Sequence, residues 1–255
     1  MNEFPKALDF RLDNKVAVIT GAASGIGEAI ARLFSEKGAA ICALDLNIDK
    51  ARIVAGNLSK SAAYQVDVAD NSSIDRAVQE VIKNHGNINI LVNCAGIGPV
   101  EWAEDYPENE WYRTMSINLN GSFFMSQRVG RSMIEAKKGG KIINLASQAG
   151  IVAIEKHVAY SASKAAIISI TQTMGFEWGK YGIQVNAISP TATKTPMIVG
   201  YWDVGERHTQ AIANTPAGRF AEPWEIAAAA LFLASDASNM ITGSNLVVDG
   251  GYTIH

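Results

Sequence analysis

The sequence predicts an α/β fold: a single Rossmann-like, doubly wound parallel sheet of about seven strands with helices on both faces. Short apolar, β-rich runs alternate with helical patterns along the whole chain. These runs are apolar on both faces, which is typical of a parallel sheet that helices cover on each side. No linker, repeat or break in composition divides the 255 residues, so residues 1–255 are interpreted as one domain.

The elements are identified in order by their apolar spacing. The first strand, residues 15–20 (KVAVIT), leads directly into a glycine-rich turn. The helix after that turn has its apolar stripe at i, i+4, i+7 and i+8, formed by Ile26, Ile30, Leu33 and Phe34. A second such stripe is formed by Ile74, Val78, Val81 and Ile82. The remaining strands are predicted at residues 39–45, 62–66, 88–95, 141–147, 183–189 and 245–249.

Composition and charge exclude several classes of function. The formal net charge of -3 leaves no basic surface, so no nucleic-acid partner is expected. Residues 1–10 contain no apolar stretch typical of a secretory signal. The charge-free apolar run at 226–234 is far shorter than the roughly 20 residues of a membrane span. We therefore expect a soluble, cytoplasmic protein without a membrane partner.

The two cysteines are expected to be unpaired. Cys42 lies in the second predicted strand and Cys94 in the fourth, and in the usual Rossmann order these two strands flank the first. Two strand spacings correspond to roughly 9–10 Å, whereas a disulfide needs Cα atoms within about 7 Å. Reduced thiols also agree with a cytoplasmic location.

The glycine-rich turn TGAASGIG at residues 20–27 predicts a dinucleotide site. Its glycines, Gly21, Gly25 and Gly27, allow a sharp turn and a close approach to a pyrophosphate at the helix N-terminus. The spacing is G-x-x-x-G-x-G, and no Lys-Ser/Thr pair follows as in a P-loop. Such a turn alone is equally compatible with a purely structural role, but its position between a strand and an amphipathic helix favours dinucleotide binding.

Asp45 indicates that the cofactor is NAD. It ends the second strand, where a carboxylate accepts hydrogen bonds from the adenosine ribose hydroxyls and repels a 2′-phosphate. Residues 22–24 carry no Lys or Arg that would favour NADP. The alternative is that Asp45 caps a helix or ends a solvated strand.

Tyr160 and Lys164 form a candidate acid–base pair. They are one helical turn apart and share a helix face. A nearby ammonium lowers the pKa of a phenol from about 10 and suits it to proton transfer. Lys164 is the only charged residue between positions 158 and 176, so it lies on a helix that is expected to be buried. Ser147 ends the fifth strand at the carboxyl edge of the sheet, where open α/β folds bind ligands.

Several motifs in the same order resemble the short-chain dehydrogenase/reductase family over residues 12–252. The turn at 20–27 matches T-G-x-x-x-G-x-G, and NCAG at 93–96 is similar to N-N-A-G with Cys in the second position. YSASK at 160–164 matches Y-x-A-S-K, 13 residues after Ser147. Asn118, in SINLNG, falls on the family's catalytic asparagine.

The resemblance implies a role for each matched residue. Tyr160 is then the general acid/base, and Ser147 binds the substrate oxygen. Lys164 lowers the pKa of the tyrosine and holds the nicotinamide ribose. Asn118 helps bind a water of the proton relay. The implied cofactor contacts are Gly21, Ser24, Gly25, Ile26, Gly27, Asp45, Asp67, Val68, Asn93, Ala95, Gly96, Tyr160, Lys164, Thr193 and Thr195. The chain departs from the family where Thr191 follows Pro190 in place of Gly, and where Thr193 replaces an apolar branched residue.

The expected substrate is a secondary alcohol or ketone of a polyol or sugar. The loop-like stretch at 190–216 resembles the family's substrate lid, placed at about 191–215. Gln148 and His157 lie close to Ser147 and Tyr160, and polar groups suit the hydroxyls of such a substrate. The C-terminal region is similar to sugar-alcohol dehydrogenases of the family. No CxxC or HExxH motif occurs, and no metal is expected.

Two alternatives stay open. One is a 3-oxoacyl-thioester reductase of the same family, which usually prefers NADPH, against the indication of Asp45. The other is a catalytically silent nucleotide-binding protein, which would have no need of Ser147, Tyr160, Lys164 and Asn118. Residues 115–127 carry no charge and residues 158–176 carry only Lys164, so both helices require burial, and a homotetramer or dimer is expected.

Overall fold

A single seven-stranded sheet organises the computed structural model, which describes residues 9–254. The strands are β1 (Val16–Thr20), β2 (Ala40–Asp45), β3 (Ser61–Gln65), β4 (Ile90–Asn93), β5 (Gly140–Leu145), β6 (Ile183–Pro190) and β7 (Asn245–Val248). The helices are α1 (Gly25–Glu36), α2 (Ile48–Gly56), α3 (Asn71–His85), α4 (Glu108–Thr114), α5 (Ser122–Ala136), α6 (Val158–Trp178), α7 (Gly205–Ala213) and α8 (Pro223–Ala234).

The strand order is β3-β2-β1-β4-β5-β6-β7, and all six neighbouring pairs are parallel. This confirms the predicted doubly wound fold. The order reverses between β1 and β4, where Thr20 is in register with Asn93. Such a reversal opens a crevice at the carboxyl ends of the strands, which is where open α/β sheets bind ligands.

Each face of the sheet packs against its own layer of helices, which explains why the strands are apolar on both faces. In β1, Ile19 joins the cluster that contains Phe34 of α1 and Ile226 of α8. The next residue back, Val18, joins the opposite cluster with Met125 of α5 and residues of α3. Successive side chains of a strand point to opposite faces, so burial on both sides requires an unbroken apolar run.

Two segments differ from the expected elements. The uncharged stretch 115–127 was expected to be one ordinary helix, but Met115–Gly121 is a π-helical segment between α4 and α5. The stretch 190–216 was expected to be a loop, but it contains α7, which has only Ala211 buried. At nine residues, α7 is too short to stand out in the sequence from the loop-like stretch around it.

Cys42 and Cys94 are free, as predicted. Within residues 9–254, no helix is long and apolar enough to cross a membrane. Most of the segment 1–10, for which no secretory signal is expected, lies outside the described residues, as does position 255.

Candidate active site

Two adjoining cavities lie at the carboxyl edge of the sheet. The first, of about 340 Å³, is lined by Ser147, Tyr160 and Lys164. The second, also of about 340 Å³, is lined by the glycine-rich turn and by Asp45. Their shared lining residues are Ile26, Cys94, Gly96, Thr195 and Met197. The predicted reacting groups and the predicted dinucleotide groups are therefore continuous in space.

The glycine-rich turn is shaped for a phosphate. Gly21 has φ +65°, and a Cβ there would lie 2.9 Å from the Ala95 nitrogen. A Cβ on Gly27 would overlap the Gly21 carbonyl oxygen. Ser24 is the N-cap of α1, but its side chain accepts no cap hydrogen bond. The free N–H groups and positive dipole of α1 are thus available to a pyrophosphate, so these residues fit a dinucleotide cofactor.

Gly27→Ala is expected to lower the free energy of unfolding by about 1–3 kcal/mol, because the added methyl must displace backbone rather than a flexible side chain. Cofactor affinity should fall as well, since Gly27 lies in the first turn of α1. Gly56→Ala is the matched control: that helical glycine has nothing within 4 Å of the added methyl, and the change should stabilise by about 0.5–1 kcal/mol. Denaturant unfolding and cofactor titration measure both effects, and an undisturbed Gly27→Ala protein would contradict this prediction.

Asp45 is held firmly at the end of β2. Its Oδ2 accepts a hydrogen bond from the Ala23 nitrogen at 3.0 Å, and its Oδ1 accepts one from the Asn47 nitrogen at 2.9 Å. The carboxylate lines the second cavity with Asp67 and Val68. Each carboxylate oxygen has a second lone pair for a ribose hydroxyl.

Arg113 also lines this cavity, and no motif in the sequence pointed to it. It extends from the last turn of α4, and its guanidinium is 3.2 Å from the Glu110 carboxylate.

Asn93, which the family resemblance implies lies along the adenosine side of the cofactor, directs its side chain into the interior of the protein. Its Nδ2 donates to Ser126 Oγ and to Asn144 Oδ1, each at 2.8 Å, in the interior of the protein. The side chain therefore ties β4 to β5 and α5. The following residues do line the cavities, and Thr20 Oγ1 fixes them by accepting from the nitrogens of Cys94 at 3.1 Å and Ala95 at 3.2 Å.

Asn118 lies in the π-helical segment and is fully buried. Its Oδ1 accepts from the Ile97 nitrogen at 2.9 Å, while its Nδ2 donates to the Ile97 carbonyl at 2.9 Å and to Ser163 Oγ at 3.1 Å. These bonds join the loop after β4 to α6. Asn118 thus holds the two walls of the site at a fixed separation, and π-helical turns are frequent at functional sites.

Ser147, Tyr160 and Lys164 meet in the first cavity, as the sequence predicts. Ser147 follows β5, and its Oγ accepts from the Ala149 nitrogen at 3.1 Å. Tyr160 and Lys164 come from the first two turns of α6. The Lys164 Nζ donates to the Leu145 carbonyl at 2.6 Å and lies 5.6 Å from the centre of the Tyr160 ring.

Burial controls the protonation of this pair. It raises the pKa of Tyr160, and the hydrogen bond with Ser147 opposes that rise. Burial also lowers the pKa of Lys164 to about 8. The net shift of the Tyr160 pKa in this structure is therefore upward, and the group that opposes the rise is Ser147 rather than Lys164. The phenol is a proton donor as it stands, and further positive charge in the cavity would favour the phenolate.

The wall of the first cavity around Ser147, Tyr160 and Lys164 is aromatic and polar. His157 is 5% exposed, and its ring centre lies 6.0 Å from that of Tyr160, 5.7 Å from that of Tyr201 and 5.5 Å from that of Trp202. Gln148 is 6% exposed, and its Oε1 has no hydrogen-bond partner. Tyr201 and Trp202 belong to the predicted lid, which covers the first cavity.

Two further residues that the family resemblance implies, Thr193 and Thr195, lie at the first cavity. Both lie beneath the lid, and Thr193 Oγ1 donates to the Thr191 carbonyl at 2.9 Å. Thr191, which replaces a glycine, is not in a left-handed conformation. Within the described part of the chain, no group of three or more His, Cys, Asp or Glu side chains could hold a metal ion.

Comparisons with known proteins agree with this geometry. The family model described as "Enoyl-(Acyl carrier protein) reductase" matches residues 21–253. The NAD-dependent glycerol dehydrogenase of Listeria innocua is 53% identical over 249 residues, covering 96% of each chain. The D-threitol dehydrogenase of Mycolicibacterium smegmatis is 49% identical over 250 residues, covering 96% of this chain and 95% of the relative.

The architecture agrees as well. The crystal structure of a short-chain type dehydrogenase/reductase from Mycobacterium marinum superposes with a TM-score of 0.92 at 33% identity, covering 96% of this chain and 98% of the other. Motifs, strand order and the grouping of Ser147, Tyr160 and Lys164 lead to the same assignment. The chain belongs to the short-chain dehydrogenase/reductase family.

Proposed function

We propose that this protein is an NAD-dependent oxidoreductase that transfers a hydride between the nicotinamide and a secondary alcohol or ketone of a polyol or sugar. The observation that carries the proposal is the continuity of the two cavities: Ser147, Tyr160 and Lys164 line the one that adjoins the dinucleotide turn. The relatives named for glycerol and threitol support a polyol, and the name of the first supports NAD. Asp45 supports NAD independently.

The chain's own groups supply proton transfer and positioning. When bound, the nicotinamide supplies the hydride acceptor and, in its oxidised form, positive charge. Tyr160 takes the hydroxyl proton during oxidation and returns it during reduction. Ser147 holds the reacting oxygen by a hydrogen bond. Lys164 orients the tyrosine and the nicotinamide ribose, and Asn118 keeps the loop after β4 in place.

The dinucleotide is held along the second cavity. The α1 N-terminus and its turn bind the pyrophosphate, Asp45 binds the adenosine ribose, and Asp67 and Val68 flank the adenine. Ala95 and Gly96 lie along the adenosine side, and Thr193 and Thr195 hold the nicotinamide end. Asn93 acts on the cofactor only indirectly, by fixing the edge of the sheet.

Gln148 and His157 are proposed to contact the substrate. Both are buried in the wall of the first cavity and are polar. A 3-oxoacyl thioester would bring only carbonyl acceptors and an apolar tail to this wall, whereas a polyol hydroxyl can both donate to and accept from polar side chains. A catalytically silent protein would not need the pairing of Tyr160 with Lys164.

A substrate panel tests the function. Purified protein is mixed with NAD or NADP and with glycerol, threitol, larger sugar alcohols or secondary monohydric alcohols, and NADH or NADPH is followed by absorbance. The reverse assay offers acyl thioesters with NADH or NADPH. NADH formation with a polyol is the expected result. Activity only with acyl thioesters and NADPH would overturn the proposal.

The protein is further proposed to form a homotetramer or a dimer in the cytoplasm. The outward face of α6 carries Ala165, Ser169 and Phe176, has its one charge, Glu177, near the end of the helix, and leaves Phe176 90% exposed. A bulky ring so exposed on a helix face with so little charge supports burial against a second copy. The two free cysteines support a reducing compartment.

Sedimentation is expected to show a tetramer or a dimer, and Phe176→Glu should shift the population toward smaller species because it places a charge in the interface. Ile53→Glu is the matched control, since Ile53 is 67% exposed on α2, far from α6 in the sheet order. A wild-type protein that sediments as a monomer at micromolar concentration would contradict the proposed assembly.

A further inference from the structure

Two side chains in the wall of the first cavity have a hydrogen-bonding atom for which the protein supplies no partner. Gln148 immediately follows Ser147, is 6% exposed and has an Oε1 atom without a partner. His157 is one helical turn before Tyr160 and is 5% exposed. A buried polar atom without a partner carries a free-energy cost, so a ligand that supplies the partner gains affinity.

The tautomer of His157 is fixed by its backbone neighbour. Its Nδ1 is 2.6 Å from the Glu155 carbonyl oxygen, which only accepts hydrogen bonds, so the proton is on Nδ1. Burial lowers the pKa of His157 and keeps the ring neutral. Among the described residues, Nε2 has no hydrogen-bond partner, and the residue lines the cavity. His157 therefore offers the ligand an acceptor.

Lys156, the residue immediately before His157, has a strained backbone. Lys156 has φ +62°, a left-handed conformation that is costly for a residue with a side chain. Its carbonyl accepts a hydrogen bond from the Glu101 nitrogen at 3.0 Å, and its Nζ lies 4.7 Å from the centre of the Trp102 ring. These contacts hold the strained residue in place. Such strain is concentrated at functional sites, and here the residue that it positions is His157.

We propose that His157 and Gln148 determine specificity by binding a hydroxyl on the carbon next to the reacting alcohol, so that the enzyme requires a vicinal diol. This inference rests on the proposed function and specifies the substrate class. The adjacent hydroxyl donates its single proton to His157 Nε2, and its oxygen accepts from the Gln148 amide when that side chain presents its NH2 group. Monohydric alcohols lack this group and leave both side chains unpaired, and a thioester carbonyl has no proton to donate to His157.

Two secondary alcohols that differ by one hydroxyl test the proposal. Wild-type protein with NAD is assayed with each stereoisomer of 2,3-butanediol and each enantiomer of 2-butanol. We expect kcat/KM for the best diol to exceed that for 2-butanol by about 10²-fold or more, since buried partners left unpaired discriminate strongly. Equal kcat/KM values for the two compounds would overturn the vicinal-diol requirement while leaving the proposed function intact. A protein that oxidises no alcohol with NAD would refute the proposed function itself.

Variants assign the preference to these side chains. His157→Phe keeps a ring but removes the acceptor, and should reduce the diol preference to below about tenfold, mainly through KM for the diol. His157→Gln can place an oxygen near the Nε2 position and should retain more of the preference. His85→Gln is the control, because His85 ends α3 and pairs with Tyr64, away from both cavities. A diol preference that survives in His157→Phe would exclude His157 from the role.

Gln148→Met tests whether Gln148 binds the substrate or only stabilises the fold. A merely structural Gln148 would lower Tm when replaced. If its buried amide instead binds the substrate hydroxyl, the isosteric methionine should leave Tm unchanged or raised while the diol preference falls about tenfold. A lowered Tm together with an unchanged diol preference would exclude Gln148 from the specificity role.

Discussion

Tyr160→Phe is expected to lower kcat for polyol oxidation by about 10²–10⁴-fold, the range that a positioned general acid–base group contributes. The variant keeps the ring against His157 and Lys164 and removes only the hydroxyl that exchanges the proton. Binding of NADH should persist, because the dinucleotide turn and Asp45 are untouched. Steady-state kinetics and a fluorescence titration of NADH measure the two quantities separately.

Tyr181→Phe is the matched control, since Tyr181 is 43% exposed and lies beyond the end of α6. Its kcat should equal that of the wild type. The pH profile supplies a second readout: oxidation needs the phenolate and should accelerate as the pH rises toward the raised pKa of Tyr160, whereas reduction needs the phenol and should slow. Full turnover by Tyr160→Phe would show that another group transfers the proton.

Most of the fold was predictable because a parallel sheet buries both faces of its strands. That burial demands unbroken apolar runs such as KVAVIT, and helices with one apolar stripe must alternate with them. The catalytic pair was predictable for a related reason. Lys164 is the single charge in a 19-residue stretch, and a lysine retained on a buried helix needs a partner or a function.

The features that sequence reasoning missed depend on side-chain direction and backbone detail. Asn93 occupies the predicted position at the end of β4, but its amide points into the interior toward Ser126 and Asn144. Asn118 lies in a π-helical turn that no residue pattern indicates. The reach of Arg113 into the second cavity depends on how α4 packs. Each is decided by tertiary packing, which hydrophobic spacing does not encode.

Asp45→Asn is expected to reduce the preference for NAD over NADP by about 10³-fold. Two unit charges 4 Å apart repel by about 4 kcal/mol at an effective dielectric constant of about 20, and the variant removes that repulsion from a 2′-phosphate. KM for NAD should rise at the same time, because an amide has one acceptor oxygen where the carboxylate has two. The measurement is kcat/KM for each cofactor at a fixed polyol concentration.

The competing interpretation makes Asp45 a helix cap or a solvated strand end, and the structure excludes the first of these roles. Asn47, not Asp45, accepts the capping hydrogen bond at the start of α2, from the Lys50 nitrogen at 3.1 Å. Asp49→Asn is the control: it alters an exposed acid in the first turn of α2 and removes one negative charge from a residue that does not line the second cavity. If cofactor preference came from net charge alone, both variants would relax it equally. Because the repulsion must act at the ribose, only Asp45→Asn should do so, and equal behaviour of the two variants would refute the assignment of Asp45.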